Sequence, residues 1–183
     1  MRVISGKYKG RRLKAPAGRA TRPTADRVKE TVFNILGAGV RHRRVLDLFA
    51  GSGALGIEAI SRQAMSTVFI DHDKAALRAI QRNIDDLGIH NQACVIRWNI
   101  LKNLNCLTTR PQMFNLVFMD PPYGTDAVSP TLAHLADSGA LADCALLVIE
   151  HSAREAVLVN KPFTTVDQRQ IGKTLVTFID AML

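Results

Sequence analysis

The chain has 183 residues, 47% of them apolar, and a formal net charge of +8, which suits a single soluble domain with room for a small appendage. Its apolar runs fall far short of the roughly 20 residues of a membrane helix, and its first residues contain no apolar signal segment, so we expect a cytoplasmic protein that does not bind membranes. Cys94, Cys106 and Cys144 are spaced too irregularly for a disulfide framework or a metal site, so we expect reduced, mostly buried thiols and no metal.

The positive charge is concentrated in the first quarter of the chain. Residues 1–44 contain 13 Lys and Arg residues but only Asp26 and Glu30 as acids, whereas the other 139 residues contain 11 basic and 14 acidic ones. A local excess of this size is typical of a surface that binds a polyanion. A solvated, disordered basic arm is the alternative. Apolar residues set among the charges, with Gly6 and Gly10, favour instead a short β-hairpin over about residues 2–14.

Hydrophobic periodicity predicts the elements that follow. The first is a helix over about residues 24–36 that ends at two glycines. Strands and helices then alternate, with strands predicted over 44–49, 67–70, 93–97, 114–119 and 145–150, and with helices reaching about 62 and covering about 74–87 and 129–138. Two alternating segments, 164–170 and 174–179, predict a final antiparallel hairpin.

This alternation predicts an α/β fold with a doubly wound, mainly parallel seven-stranded sheet of the Rossmann-like type. Helices would cover both faces of the sheet. The N-terminal β-hairpin would be an extension, and the C-terminal strands would be antiparallel. Ligands of such sheets bind at the carboxyl ends of the strands, near the point where the strand order reverses.

A glycine-rich turn follows the first strand of the sheet. The segment Gly51–Gly56 matches the pattern G-x-G-x-x-G, which alone would suit an NAD-binding protein. Asp47, four residues before the first glycine, would repel a pyrophosphate but would favour a cationic ligand such as a sulfonium amino acid. An Asp that only binds backbone N–H groups of the loop is the alternative.

Other polar side chains follow the next two strands at the same predicted edge. Asp71 is placed to accept both hydroxyls of an adenosine ribose, a group that NAD and S-adenosylmethionine share. Asp73 is a candidate for capping the next helix. Asn99 is a candidate for hydrogen bonding to an adenine edge, while we expect Trp98 to fill space.

The fourth strand ends in Asp120-Pro121-Pro122-Tyr123, because two prolines cannot donate to a sheet. Their rings also stiffen the chain and hold Asp120 and Tyr123 in a fixed relation. A strand-ending turn with a capping Asp is the alternative. The position of the tetrapeptide at the predicted ligand edge favours a functional motif.

Together these motifs resemble a known family. Asp47–Gly53 in the pattern Asp-x-Phe-x-Gly-x-Gly, an acid after the second strand, and Asp-Pro-Pro-Tyr resemble methyltransferases that act on exocyclic amines of nucleic-acid bases. The segments Arg2–Gly6, Arg11–Leu13, Arg22–Asn34 and Asp47–Ala59 extend the resemblance to the RsmD-type methyltransferases, over almost the whole chain. That family methylates the exocyclic N2 of one guanine in bacterial 16S ribosomal RNA.

The resemblance implies a class I methyltransferase that uses S-adenosylmethionine and acts on 16S rRNA or the assembling small ribosomal subunit. Residues 1–20 would be an RNA-binding extension, and residues 21–183 the methyltransferase domain. The implied cofactor residues are Asp47, Phe49, Ala50, Gly51, Ser52, Gly53, Asp71 and Asn99. The implied catalytic residues are Asp120, Pro121, Pro122 and Tyr123. The implied RNA-binding residues are Lys7, Lys9, Arg11, Arg12, Arg22 and Arg27.

These residue types suit methyl transfer to a base amine. Such an amine is a poor nucleophile because its lone pair is delocalised into the ring, and hydrogen-bond acceptors such as Asp120 and the Pro121 carbonyl would stabilise the positive charge that develops on it. The base must leave its stack to reach a pocket, where Tyr123 would stack on it. Basic side chains would bind phosphates and supply affinity more than sequence choice.

Three other functions remain open at this stage: an adenine-N6 nucleic-acid methyltransferase, an NAD-dependent oxidoreductase and a non-catalytic RNA-binding protein with the same fold. The histidines are scattered, and we expect them to be surface or packing residues. His151 is set apart because we expect it just beyond the fifth strand, on the ligand side of the sheet.

Overall fold

The computed structural model describes residues 1–16, 23–108, 113–155 and 157–182, so Arg22 lies outside the described residues. The strands are β1 (Arg44–Leu48), β2 (Ser66–Asp71), β3 (Ala93–Arg97), β4 (Phe114–Met119), β5 (Leu141–Ser152), β6 (Phe163–Ile171) and β7 (Thr174–Ala181). The described α-helices are α1 (Pro23–Leu36), α2 (Ala54–Ser61), α3 (Lys74–Leu87) and α4 (Val128–Ser138). Short 3-10 turns cover Gly37–Val40 and His90–Gln92.

The seven strands form one sheet in the order β3-β2-β1-β4-β5-β7-β6. Neighbours from β3 to β5 pair in parallel, β7 runs antiparallel to β5, and β6 runs antiparallel to β7. This confirms the predicted doubly wound sheet and its antiparallel C-terminal strands. The strand order reverses between β1 and β4, and the crevice beyond their carboxyl ends is where such a sheet binds its ligand.

Most predicted boundaries agree with the structure to within two residues, but β5 begins four residues earlier than expected. The β4–β5 register shifts between Phe114, which pairs with Leu141, and Leu116, which pairs with Leu146. Cys144 within this irregular stretch has a φ of +57°. A bulge of this kind breaks the alternation of apolar and polar residues, so the sequence pattern does not reveal the start of the strand.

Helices cover both faces of the sheet. One face packs against α4 in an apolar cluster that includes Leu46, Val117, Ile149 and Leu132. The other face packs against α1, α2 and α3 in two clusters: Val28, Val32 and Phe33 of α1 pack with Val45, Phe118 and Phe178, whereas Ile57 and Ile60 of α2 pack with Phe69, Ile80 and Ile84. Side chains alternate between the faces of a strand, so Asp47 lies on the α1–α3 face, opposite to Leu46 and Leu48.

The N-terminal segment, residues 1–16, forms the expected hairpin-like turn. A single antiparallel bridge joins Arg2 to Arg12, and the Val3 N–H donates to the Arg11 carbonyl at 2.9 Å. The pairing is therefore a bridge rather than the two full strands that the sequence suggested. Val3 and Leu13 are buried and pack into the cluster formed by α2 and α3.

Polar side chains of α2 fix this segment in place. Glu58 is fully buried, and its carboxylate accepts hydrogen bonds from the N–H groups of Ile4 at 2.7 Å and Ser5 at 3.0 Å, and from Arg62 Nε at 2.8 Å. Ser61 Oγ donates to the Ser5 carbonyl at 2.5 Å. The basic segment is thus attached along the length of α2.

The three cysteines are free, as expected, but they are less buried than predicted. Cys94 and Cys106 are half-buried, and Cys144 is exposed because it lies in the irregular start of β5. None of the helices in the described part of the chain combines the length and apolar character that a membrane crossing requires.

Alanine substitutions at Gly6 and at Gly10 show, by comparison, how closely the N-terminal segment packs on α2. Both have φ values above +80°, so Ala at either position carries a similar backbone strain of about 1 kcal/mol. A Cβ on Gly6 would lie 1.9 Å from the Ser61 carbonyl oxygen, whereas a Cβ on Gly10 meets nothing within 4 Å. We expect Gly6→Ala to lower the free energy of unfolding by about 1–3 kcal/mol more than Gly10→Ala, as measured by urea denaturation. Equal losses would contradict the close packing described here.

Candidate active site at the carboxyl ends of the strands

A cavity of about 100 Å³ lies beyond the carboxyl ends of the central strands. It joins residues from β1, the glycine-rich turn, β4, β5, α1 and the N-terminal segment. Its lining consists of Met1, Lys29, Asp47, Phe49, Ala50, Gly51, Ser52, Ala54, Leu55, Asp120 and Glu150. Five of the predicted cofactor residues and the first residue of the Asp-Pro-Pro-Tyr segment therefore meet in one place.

Asp47 is the most deeply buried acid of this cavity. Its side chain is only 2% exposed, and its Oδ2 accepts a hydrogen bond from the Gly56 N–H, in the first turn of α2, at 2.9 Å. Burial raises the pKa of Asp47 to about 8, although the Gly56 hydrogen bond opposes this change, and the negative charge of Asp71 adds to it. The capping role considered for Asp47 is present, but it does not remove the cost of burying the carboxylate.

The turn after β1 has a constrained backbone. Phe49, Gly51 and Gly53 have φ values of +56°, +58° and +76°. The Phe49 value is uncommon for a residue with a side chain, and such conformations cluster at ligand sites. Gly53 precedes α2, whose first N–H groups face this end of the helix.

Two buried side chains, Asp71 at the end of β2 and Asn83 of α3, form hydrogen bonds to the turn. Asp71 Oδ2 accepts from the Gly51 N–H at 2.9 Å, and Asp71 Oδ1 accepts from the Asp73 N–H at 2.9 Å. Asn83 Nδ2 donates to the Ser52 carbonyl at 2.9 Å. Asp73 accepts from the Ala75 N–H at 2.9 Å and caps α3, as predicted. The sequence did not identify Asn83, because an Asn in the middle of a helix gives no signal of its tertiary partners.

The Asp-Pro-Pro-Tyr segment directly follows β4. Asp120 lines the cavity, Pro121 is buried and Pro122 is exposed. The Tyr123 hydroxyl donates to Glu150 Oε1 at 2.9 Å and lies 2.9 Å from Thr174 Oγ1. Burial is the largest of the influences that raise the pKa of Tyr123 above its usual value. Tyr123 as a whole is 47% exposed, so part of the residue is accessible to a partner.

Glu150 was not among the predicted site residues. It lies in β5 one residue after Ile149, which pairs with Met119 of β4, so Glu150 and Asp120 follow paired residues on neighbouring strands. Burial raises the pKa of Glu150. The predicted strand ended at this residue, and a lone Glu at a strand end gives no functional signal by itself.

Lys29 of α1 is the second residue that the sequence did not reveal. It is 3% exposed, lines the cavity, and its Nζ donates to the Arg2 carbonyl at 2.6 Å. Burial lowers its pKa, and the charges of Glu58 and Asp26 oppose this change. Lys29 thus joins the N-terminal segment to the cavity.

Asn99 lies in a separate, open cavity of about 530 Å³ beyond β3, together with His72, Trp98 and Lys102. Its Oδ1 accepts from the Leu101 N–H at 3.1 Å. Trp98 packs against the core and donates its indole N–H to the Asn103 carbonyl at 2.9 Å. His72, which follows Asp71 at the end of β2, lines this cavity with Asn99, so the predicted adenine residue lies apart from the cavity that contains Asp47.

His151 has a structural setting. It lies within β5 rather than beyond it, is 1% exposed, and its Nε2 is 2.8 Å from Thr177 Oγ1. Burial lowers its pKa. This histidine is a packing residue, which is one of the two roles that the sequence allowed.

The predicted RNA-binding residues lie along the outer side of the N-terminal segment and on α1. Lys7, Lys9, Arg11, Arg12 and Arg27 are all exposed. Arg11 donates to the Asp86 carbonyl at 2.9 Å. The Lys7 N–H donates to the Ser61 carbonyl at 2.8 Å, so Lys7 lies at the end of α2 that is far from the glycine-rich turn.

Both the sequence and the fold of the chain match known proteins. The family model described as "Conserved hypothetical protein 95" matches residues 1–180. The chain is 42% identical to YlbH of Bacillus subtilis (strain 168), over 82% of either chain. It is 39% identical to ribosomal RNA small subunit methyltransferase D of Escherichia coli (strain K12), over 82% of this chain and 74% of that protein. The solved structure of yhhF from Escherichia coli superposes with a TM-score of 0.86 at 32% identity, and the match covers 100% of this chain and 98% of that one.

The fold and the relatives agree on the class, and the chain is a methyltransferase with a Rossmann-like fold. Within that class it belongs to the family of ribosomal RNA small subunit methyltransferase D, since the family model spans nearly the whole chain and relatives of that name align over most of their length.

The burial of Asp47 predicts how stability depends on pH. The folded-state pKa is raised from 3.8 to about 8, so the folded protein keeps a proton that the unfolded chain loses, and stability falls as the pH rises between these values. Asp47→Asn removes this titration. We expect the ligand-free Asn variant to gain at least about 1 kcal/mol relative to the wild type between pH 5 and pH 8, since one pKa unit corresponds to about 1.4 kcal/mol.

Urea denaturation at several pH values measures this difference. Asp126→Asn, at an exposed acid of the loop after β4, is the control and should leave the pH profile unchanged. Parallel profiles for the wild type and Asp47→Asn would show that Asp47 does not titrate in this range.

Proposed function

We propose that this chain transfers a methyl group from S-adenosylmethionine to the exocyclic N2 amine of a guanine in 16S ribosomal RNA, in the small ribosomal subunit or its assembling precursor. Residues 1–20 would act as the RNA-binding extension of a methyltransferase domain that spans residues 21–183. The observation that carries the proposal is the shared cavity of Asp47 and Asp120, one at the cofactor turn and the other at the start of Asp-Pro-Pro-Tyr. The names of the relatives support ribosomal RNA as the substrate class.

The residues present fit S-adenosylmethionine. Its amino-acid end carries an ammonium and a sulfonium, and the desolvated carboxylate of Asp47 favours a cation beside it. The turn of residues 49–52 brings backbone close to the cavity, where Gly51 presents no Cβ. Asp71 would bind the ribose, and Asn99 would contact the adenine. A dinucleotide would instead place a pyrophosphate next to Asp47, which argues against an NAD-dependent reaction.

The bound cofactor would supply an electrophilic methyl group on a sulfur that leaves readily. The protein must then make a weak nucleophile reactive, because the amine lone pair is delocalised into the base. Asp120 and the Pro121 carbonyl would accept hydrogen bonds from the amine N–H groups and stabilise the charge that develops as the nitrogen–carbon bond forms. Asp120 would then receive the proton that the nitrogen releases. Tyr123, which is partly exposed, would stack on the base that has left its own stack.

The variant Asp120→Asn is expected to slow methyl transfer without weakening the binding of S-adenosylmethionine. Asp120→Asn keeps the size of the side chain but removes the negative charge, so we expect the rate of methyl transfer to fall by about 10²–10³-fold. The dissociation constant for S-adenosylmethionine, measured by calorimetry, should change by less than about threefold, since Asp47 and the turn remain.

Asp126→Asn, in the same loop, is the matched control and should keep the wild-type rate. Full activity of Asp120→Asn would remove Asp120 from the chemistry. Binding of NAD in place of S-adenosylmethionine would reject the methyltransferase proposal as a whole.

The N-terminal cations should govern RNA affinity through their charge. Arg11 and Arg12 are exposed on the segment that reaches the cavity. We expect the Arg11→Ala/Arg12→Ala double variant to weaken RNA binding and to reduce the slope of log K against log salt by about 1–2, because each phosphate contact contributes about 0.7–0.9. A double variant at exposed Lys161 and at Arg169 of β6 removes the same charge elsewhere and should leave the slope unchanged. Equal slopes for both double variants would show that Arg11 and Arg12 do not contribute phosphate contacts to RNA binding.

A further inference from the structure

Glu150 has no role in the methyl transfer proposed above, although it lines the same cavity. It follows Ile149 on β5 as Asp120 follows Met119 on β4, and the residues they follow are paired in parallel register. Neighbouring strands lie about 4.8 Å apart, so Glu150, within β5, is adjacent to Asp120, which directly follows β4. Both line the cavity that also contains Asp47 and Lys29.

Within the described part of the chain, the hydrogen bond of Glu150 involves one of its two carboxylate oxygens. Oε1 accepts the hydrogen bond from the Tyr123 hydroxyl, which also lies 2.9 Å from Thr174 Oγ1. A carboxylate has two acceptor oxygens, and this contact uses one of them. A base stacked on the Tyr123 ring can turn its edge toward the hydroxyl end of the ring, where Glu150 lies.

The hydrogen-bonding edge of guanine complements two adjacent acceptors. Guanine carries an N1–H donor directly next to its N2 amine, whereas adenine and 2,6-diaminopurine have an unprotonated N1 that accepts. We propose that Glu150 determines base specificity by accepting the guanine N1–H while Asp120 accepts from the N2 amine. A base with an unprotonated N1 would place a lone pair against the carboxylate and leave a buried acceptor without a donor.

This inference rests on the proposed function, and it is tested with two RNA substrates. A 16S ribosomal RNA is assembled by ligation with either guanine or 2,6-diaminopurine at the methylated position. Both bases carry an amine on C2, so both can receive the methyl group. The measurement is kcat/KM for transfer of labelled methyl groups to each RNA, and their ratio gives the selectivity.

Glu150→Gln is the principal variant, because Gln keeps an oxygen for the Tyr123 hydroxyl and can turn its amide NH₂ toward an unprotonated N1. We expect the wild type to favour guanine and the Gln variant to reduce that preference by at least about tenfold. Retention of the wild-type ratio in Glu150→Gln would overturn the inference.

Tyr123→Phe distinguishes a direct role of Glu150 from an indirect one. Phe keeps the ring for stacking and leaves the Glu150 carboxylate in place, but it removes the hydroxyl contact. We expect it to lower kcat/KM on both RNAs by a similar factor and to keep their ratio. A shift of the ratio as large as that of Glu150→Gln would mean that Glu150 acts only through Tyr123, and would also overturn the inference. A wild type that methylates neither RNA would reject the proposed function itself, which is a separate result.

Discussion

The buried carboxylate of Asp47 is the constraint on which the rest of the site depends. Burial raises its pKa to about 8, and the Gly56 N–H offsets this only in part, so the ligand-free protein holds an acid that favours a nearby cation. Parallel pairing of β1, β4 and β5 brings Asp120 and Glu150 to the same edge. The cavity therefore combines the carboxylates of Asp47, Asp120 and Glu150, which we propose to serve a cationic cofactor and the N–H groups of a base.

The N-terminal segment contacts the cavity and also carries the exposed basic side chains that we propose to bind RNA. Lys29 Nζ contacts the Arg2 carbonyl, and Asn83 contacts both Lys14 and the Ser52 carbonyl of the cofactor turn. A phosphate bound by this segment would thus be linked to the turn through a single side chain, Asn83. This arrangement would give the proposed RNA binding and cofactor binding a shared physical basis. The buried Glu58 carboxylate holds the same segment through the N–H groups of Ile4 and Ser5.

The sequence predicted most of the fold because long periodic segments, such as α3, and short buried strands, such as β3, carry their own signal. It also predicted that Asp47, residues 49–52 and Asp120 lie at one edge of the sheet, because the carboxyl ends of parallel strands lie on the same side. It missed Lys29, Asn83 and Glu150, because an isolated polar residue within a helix or strand shows its role only through tertiary contacts. The early start of β5 was hidden for a related reason: a bulge interrupts the alternation that identifies a strand.

Methylation of a guanine N2 in 16S ribosomal RNA is tested most directly by mass spectrometry of nucleosides digested from 16S ribosomal RNA, taken from cells with and without this chain. We expect N2-methylguanosine to decrease by one residue per 16S molecule in cells that lack the chain, and the wild-type gene to restore it. An unchanged N2-methylguanosine content, with another methylated nucleoside lost instead, would contradict the assignment of the target base.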